Sequence, residues 1–178
     1  SSNAPITPGS AGAGGPNVPW AARGGGLVRI EVAQDLLLDG TLTANGAQGS
    51  LFGALMQGGS GAGGGIYVQA ANFRGSTTAV LRANAGSGTS GPTSWVGGGG
   101  GGGRIAVWFA VPPNRVQGIL DGTDLRSVSI TNTCRYFLGG VSATNGIGYT
   151  NVPPDGSAVG TIEFVTVDLE KGTFIKIF

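Results

Sequence analysis

The chain contains no histidine, one cysteine and few charges: of 178 residues, 10 are Lys or Arg and 9 are Asp or Glu. Without histidine the commonest general base and metal ligand is missing. Ser-His-Asp and Cys-His machinery is therefore ruled out, and a zinc centre has little to draw on. Cys134 stands alone, which excludes an internal disulfide. Two readings stay open for it, a small buried hydrophobe or an intermolecular bridge. So little cysteine suits an exported bacterial protein or a cytosolic one alike. No run of Lys and Arg offers a stripe that could neutralise phosphates, so nucleic acid is not an expected partner. No apolar stretch approaches the roughly 20 residues of a membrane-spanning helix, and no secretory signal is visible at Ser1-Ser2-Asn3-Ala4. Helical periodicity is also scarce, since the apolar runs lack a 3.6-residue period and are rich in β-branched residues.

Glycine is abundant, at 37 residues, and it is clustered. Gly24–Gly26 runs into Leu27-Val28-Arg29-Ile30-Glu31-Val32, and Gly63–Gly65 runs into Ile66-Tyr67-Val68-Gln69-Ala70. Gly97–Gly103 runs into Arg104-Ile105-Ala106-Val107-Trp108-Phe109, and a weaker copy is Val159-Gly160-Thr161-Ile162-Glu163-Phe164-Val165. From position 28 to 66 to 105 the steps are 38 and 39 residues, the sign of a repeat. Ala44-Asn45-Gly46 is echoed at Ala83-Asn84-Ala85-Gly86 and again at Ser142-Ala143-Thr144-Asn145-Gly146. Asn45-Gly46 and Asp39-Gly40 are turn dipeptides, because Gly and Asn tolerate positive φ. Each repeat is expected to hold two strand runs, a tight turn and a long glycine-rich return loop. A hydrophobic content of 40% and the clustering of the glycines favour order over disorder.

Residues 1–23, with Pro5, Pro8, Pro16 and Pro19, read as an extended arm, since proline cannot donate to a ladder; Trp20 is its anchor. Residues 24–178 then form one domain with an insertion at about 111–138. Aligned strands place Val28, Ile66, Ile105 and Ile162 in one ladder and Ile30, Val68, Val107 and Phe164 in the next, on the same face. Arg29, Tyr67, Ala106 and Glu163 are expected to point outward. The expected fold is all-β, a parallel β-helix or β-solenoid with glycine-rich return loops.

These blocks, followed by Leu38-Asp39-Gly40-Thr41-Leu42-Thr43-Ala44-Asn45-Gly46, resemble glycine-rich repeats of large exported bacterial surface proteins. The resemblance covers roughly residues 24–168, and Gly97–Gly103 with Arg104-Ile105-Ala106-Val107 carries most of it. It implies a solenoid at the cell surface or outside the cell, and brings no catalytic residue with it.

Candidate chemistry is sparse. The glycine blocks lack the Gly-Lys-Ser/Thr ending of a phosphate loop. Asp35 with Asp39, and Asp121 with Asp124, are the carboxylate pairs from which a polysaccharide lyase or hydrolase could be built. They sit in turns or beside glycine, where aspartate commonly bonds its own backbone, though such oxygen-rich turns also suit Ca2+. No other cofactor is expected. Trp95, Trp108, Tyr67, Tyr136 and Tyr149 are candidates for stacking on sugar rings, Trp95 and Trp108 foremost, which would make a surface polysaccharide a partner. The favoured reading is non-enzymatic. Low net charge, +1, weakens repulsion between copies. Neither end of the repeat array carries a polar cap. Head-to-tail self-assembly into an extracellular filament or surface layer is expected, through Pro16, Pro19 and Trp20 of the arm and Phe174, Ile175, Ile177 and Phe178 of the last strand. The alternative is a monomeric carbohydrate-binding module of a larger surface adhesin.

Overall fold

The computed structural model describes residues 4–14, 21–49, 51–52, 56–88, 97–148 and 157–168. Each glycine block leads into a run of alternating apolar residues, and these runs pair in parallel. Strand β1 (Leu27–Glu31) is followed by β2 (Asp35–Leu38) and β3 (Thr41–Thr43), giving a first row of three short strands. A two-stranded antiparallel pair, β4 (Leu51–Phe52) and β5 (Met56–Gln57), separates it from the second row, β6 (Gly65–Ala70), β7 (Asn72–Gly75) and β8 (Val80–Arg82). Next come β9 (Arg104–Phe109), helix α1 (Pro113–Leu120), β10 (Val128–Thr131), β11 (Gly140–Ser142) and β12 (Thr161–Val167).

The rows stack into three sheets. The largest has the order β1-β6-β9-β12-β10, the second β11-β8-β3 and the third β2-β7, the last extended by a parallel bridge from Gly75 to Phe137. In the largest sheet Val28 faces Ile66, Ile66 faces Ile105 and Ile105 faces Ile162, while Ile30, Val68, Val107 and Phe164 align two residues on. All three sheets turn this face inward on one core, where Ile66, Val68, Phe73, Leu81, Ile105, Val107 and Phe164 are buried. Phe73 stacks on Phe137 with ring centroids 5.5 Å apart.

The architecture is nevertheless mixed α/β, and the expected all-β solenoid is overturned. An α-helix lies inside the insertion, β10 pairs antiparallel with β12, and β4 pairs antiparallel with β5. The helix changes which faces are buried. Val116, Ile119 and Leu120 pack over Tyr67, Ala106, Trp108 and Val165 and make a second core on the outer face of the large sheet. Tyr67 and Ala106 do lie opposite the first ladder, yet the helix and Ala4 shield them from water.

The glycine segments are not return loops. They run extended beside one another and bond laterally at every third residue. Gly61 and Gly64 donate to the carbonyls of Ala47 and Ala44, Gly100 and Gly103 to Gly86 and Ala83, and Ser60 and Gly63 to Gly98 and Gly101, all at 2.7–3.1 Å. A three-residue step is the period of a polyproline II helix, which bonds nothing internally and leaves its N–H groups for neighbours. Backbones this close exclude side chains. A Cβ on Gly61 would sit 2.0 Å from the Arg23 carbonyl oxygen, and one on Gly63 2.0 Å from that of Ala83. The N-terminal segment belongs to this layer too: Gly9 and Gly12 donate to Gly25 and Ala22, while Ser10 and Ala13 accept from Ala62 and Gly59.

The Asn-Gly dipeptides make no hairpin here. Asn45 accepts the Asn84 N–H at 2.9 Å through its side-chain oxygen, and Asn84 accepts the Thr144 N–H at 3.0 Å in the same way. The repeated asparagine is a bracket between rows.

Candidate assembly surface

Each of the three sheets ends on a strand of the first row, so β1, β2 and β3 present their free edges on the same end of the molecule. The bonding pattern fixes which backbone groups point outward. Gly26 accepts from Gly65 and Val32 donates to Gln69, so the even-numbered residues of β1 face β6. In a parallel strand the alternate residues turn their N–H and C=O to the other side, which leaves those of Leu27, Arg29 and Glu31 outward. By the same logic Gln34 and Leu38 bond toward β7, leaving Asp35 and Leu37 outward. Gly40 and Ala44 bond toward β8, leaving Thr41 and Thr43 outward. No strand among the described residues pairs with these edges.

The side chains of the first row are as incomplete as its backbone. Ile66, Val68 and Leu81 in the second row are 0% exposed, whereas their first-row partners Val28, Ile30 and Leu42 are only half-buried, as are Leu36 and Leu38. Leu27 is 39% and Leu37 68% exposed. Among the described residues nothing covers the core at this end. Two devices partly blunt the edge. Arg29 and Glu31 form an ion pair on the outer face of β1, with the guanidinium 4.9 Å above the Tyr67 ring. Polar side chains also clamp the first row to the second: Asn72 donates to Asp35 at 2.6 Å, and Ser76 and Thr78 donate to Asp39.

The carboxylates singled out as acid–base candidates are thus taken up by structure. Asp35 and Asp39 bond across rows, and the two hydroxyls hold the Asp39 carboxyl below its ordinary pKa. Asp121 accepts from Gln117 at 2.8 Å, while Asp124 is gripped by Arg115 at 2.7 and 2.9 Å and by Arg126 at 3.1 Å. Those guanidinium hydrogen bonds push the Asp124 carboxyl well below the usual carboxylate range, which suits an anchor and not a proton donor. Among the described residues no group of three His, Cys, Asp or Glu side chains is placed to hold a metal ion. Nor is any helix among them long and apolar enough to cross a membrane.

Trp108 is 0% exposed in the second core, 6.3 Å from Tyr67 ring to ring, so neither ring offers a face to a sugar. Trp95 and Tyr149 lie outside the described residues, as do Pro16, Pro19, Trp20, Phe174, Ile175, Ile177 and Phe178. Cys134 is half-buried against the first core. The open first row itself was not singled out from sequence. Its signal was there: Leu36, Leu37, Leu38 and Leu42 lie close together in the first of the glycine-led repeats. Compared with protein-family models, with curated proteins and with solved structures, the chain finds no match.

Proposed function

We propose that this is a non-enzymatic structural protein of the cell exterior whose copies join head to tail into a filament or surface layer. The observation that carries the reading is the open first row, which combines seven outward-facing backbone positions with a half-covered apolar core. Natural sheets usually cover, shorten or charge such edges, because a free edge is a template for another strand. Here the covering element is another copy. Its arm around Pro16, Pro19 and Trp20 and its Phe174–Phe178 segment approach the edge, and Phe174, Ile175, Ile177 and Phe178 supply the apolar strand to be added. Such a contact joins different surfaces of the two partners and, if it does not close on itself, propagates. Placement outside the cell rests on the resemblance of the glycine-rich repeat to exported surface proteins. The structural bonding of Asp35, Asp39, Asp121 and Asp124 supports the non-enzymatic part.

Negative-stain electron microscopy of the purified chain at neutral pH tests the proposal, with unbranched filaments or ordered sheets as the expected result. Thr43→Pro removes an outward N–H and none that bonds to β8, and Leu37→Lys charges the exposed end. Each is expected to abolish or shorten the polymer while leaving the thermal melt of the subunit nearly unchanged, and so is deletion of Phe174–Phe178. Polymers that survive all three changes would put the contact elsewhere on the surface. Dispersed particles from the unaltered chain would remove the function itself.

A further inference from the structure

At the opposite end of the core, where β10 closes the large sheet, a cleft of about 420 Å³ opens between Phe109-Ala110, the β10–β12 pair and the loop at Thr133–Tyr136. That volume falls within the range of small-molecule sites. Ser129 and Thr166 are direct partners across β10 and β12, and both line the cleft. Neither hydroxyl has a partner within the described residues. The Thr131 hydroxyl donates to the Thr133 carbonyl at 2.6 Å and ties the loop to the strand. Arg135 lies 4.5 Å above the centroid of the Tyr136 ring and bonds its hydroxyl, yet Tyr136 remains 44% exposed. Asp168 closes the rim. Its N–H donates to the Ser127 carbonyl at 2.9 Å, while its carboxylate stays free within the described residues.

The backbone around the cleft is held in a costly shape. Ala110 and Ser127 adopt φ of 54° and 53°, the left-handed region that non-glycine residues seldom occupy. Ala110 lines the cleft, and Ser127 holds Asp168. Strain of this kind persists where the surrounding structure over-determines it, and it concentrates at sites that bind or react.

The donor set narrows the ligand. An apolar molecule would strip water from the hydroxyls without replacing its hydrogen bonds. An anion would meet Asp168, and a cation would find one carboxylate beside a guanidinium. A molecule bearing several hydroxyls around an apolar ring face satisfies all of these groups. Its hydroxyls bond to Ser129, Thr166 and Asp168, and its C–H face packs on the exposed part of Tyr136. We infer that this cleft binds a neutral saccharide. The cleft lies at the other end of the large sheet from the open first row.

Glycan-array screening of the full-length chain, followed by calorimetry with the neutral oligosaccharides retained, tests the inference. Tyr136→Ala and Asp168→Asn should each weaken binding about tenfold or more, the usual effect of losing a stacking ring or a charged acceptor. Tyr136→Phe should restore most of the affinity lost in Tyr136→Ala. Cys134, the single cysteine, also lines the cleft, so bound glycan should slow its labelling by a maleimide. That readout needs no variant to fold. No neutral glycan retained, affinity in both loss variants unchanged from that of the unaltered chain, or labelling indifferent to glycan would each overturn the site.

Discussion

At the scale of single residues, the glycines differ sharply in what they do. A Cβ on Gly63 would lie 2.0 Å from one backbone oxygen and 2.5 Å from the Gly103 nitrogen, whereas one on Gly98 would meet nothing within 4 Å. Gly63→Ala should therefore force neighbouring segments apart and cost about 1–3 kcal/mol or more, as overpacking does. Gly98→Ala should be neutral, or stabilising by up to about 1 kcal/mol through the unfolded chain. Denaturant melts of the pair check this directly, and equal stability would mean the glycine layer tolerates side chains. Asp124 makes a second residue-level case. Its folded pKa is depressed by hydrogen bonds from Arg115 and then Arg126. A group of this kind stabilises the fold fully above its unfolded pKa of about 3.9 and loses that contribution as acid titrates the folded carboxylate. Asp124→Asn should thus lower the melting temperature at neutral pH, and the gap to the unaltered chain should close as pH falls below about 4. A gap that stays constant down through that window would assign the loss to packing instead of charge.

At the scale of elements, α1 decides how many faces of the large sheet are buried. Ile119, 2% exposed, is its deepest side chain and packs in the cluster that covers Trp108. Ile119→Ala should cost about 2–4 kcal/mol, within the range for a buried aliphatic. It should also let water toward Trp108, so a fluorescence red shift is expected; unchanged emission with unchanged stability would mean the helix merely rests on the sheet. The sequence did carry signals for α1. Pro112-Pro113 opens it, Ile119 and Leu120 follow Val116 at three and four residues, and Gly122, at φ +72°, follows its end. Eight residues within an all-β pattern were too short to outweigh the surrounding strands. The ladders were readable to the residue, because an apolar position two residues along always returns to the same face. The asparagine repeat was visible as a spacing but its role was not. A side chain that reaches the next row and a side chain that turns its own backbone have the same sequence signature.

At the scale of the whole molecule, the first row was legible as a set of strands but not as an exposed end, since exposure depends on which sheets close and which stop. The glycine blocks hid more. Composition marks them as spacers, and only the approach of backbone to backbone makes them a layer. That layer sets how the molecule would carry load. Rows are joined by ladders on three sheets, by asparagine and hydroxyl brackets, and by glycine bonds spaced every third residue, all spanning the same gaps. A pull along the stacking direction would share its force among them, so no single bond could be peeled ahead of the rest. Their mismatched periods, two residues in the strands and three in the glycine segments, also mean that any slide of one row past its neighbour by fewer than six residues breaks at least one of the two registers. Such a body resists creep, keeps its length under tension and fails, when it fails, a whole row at a time.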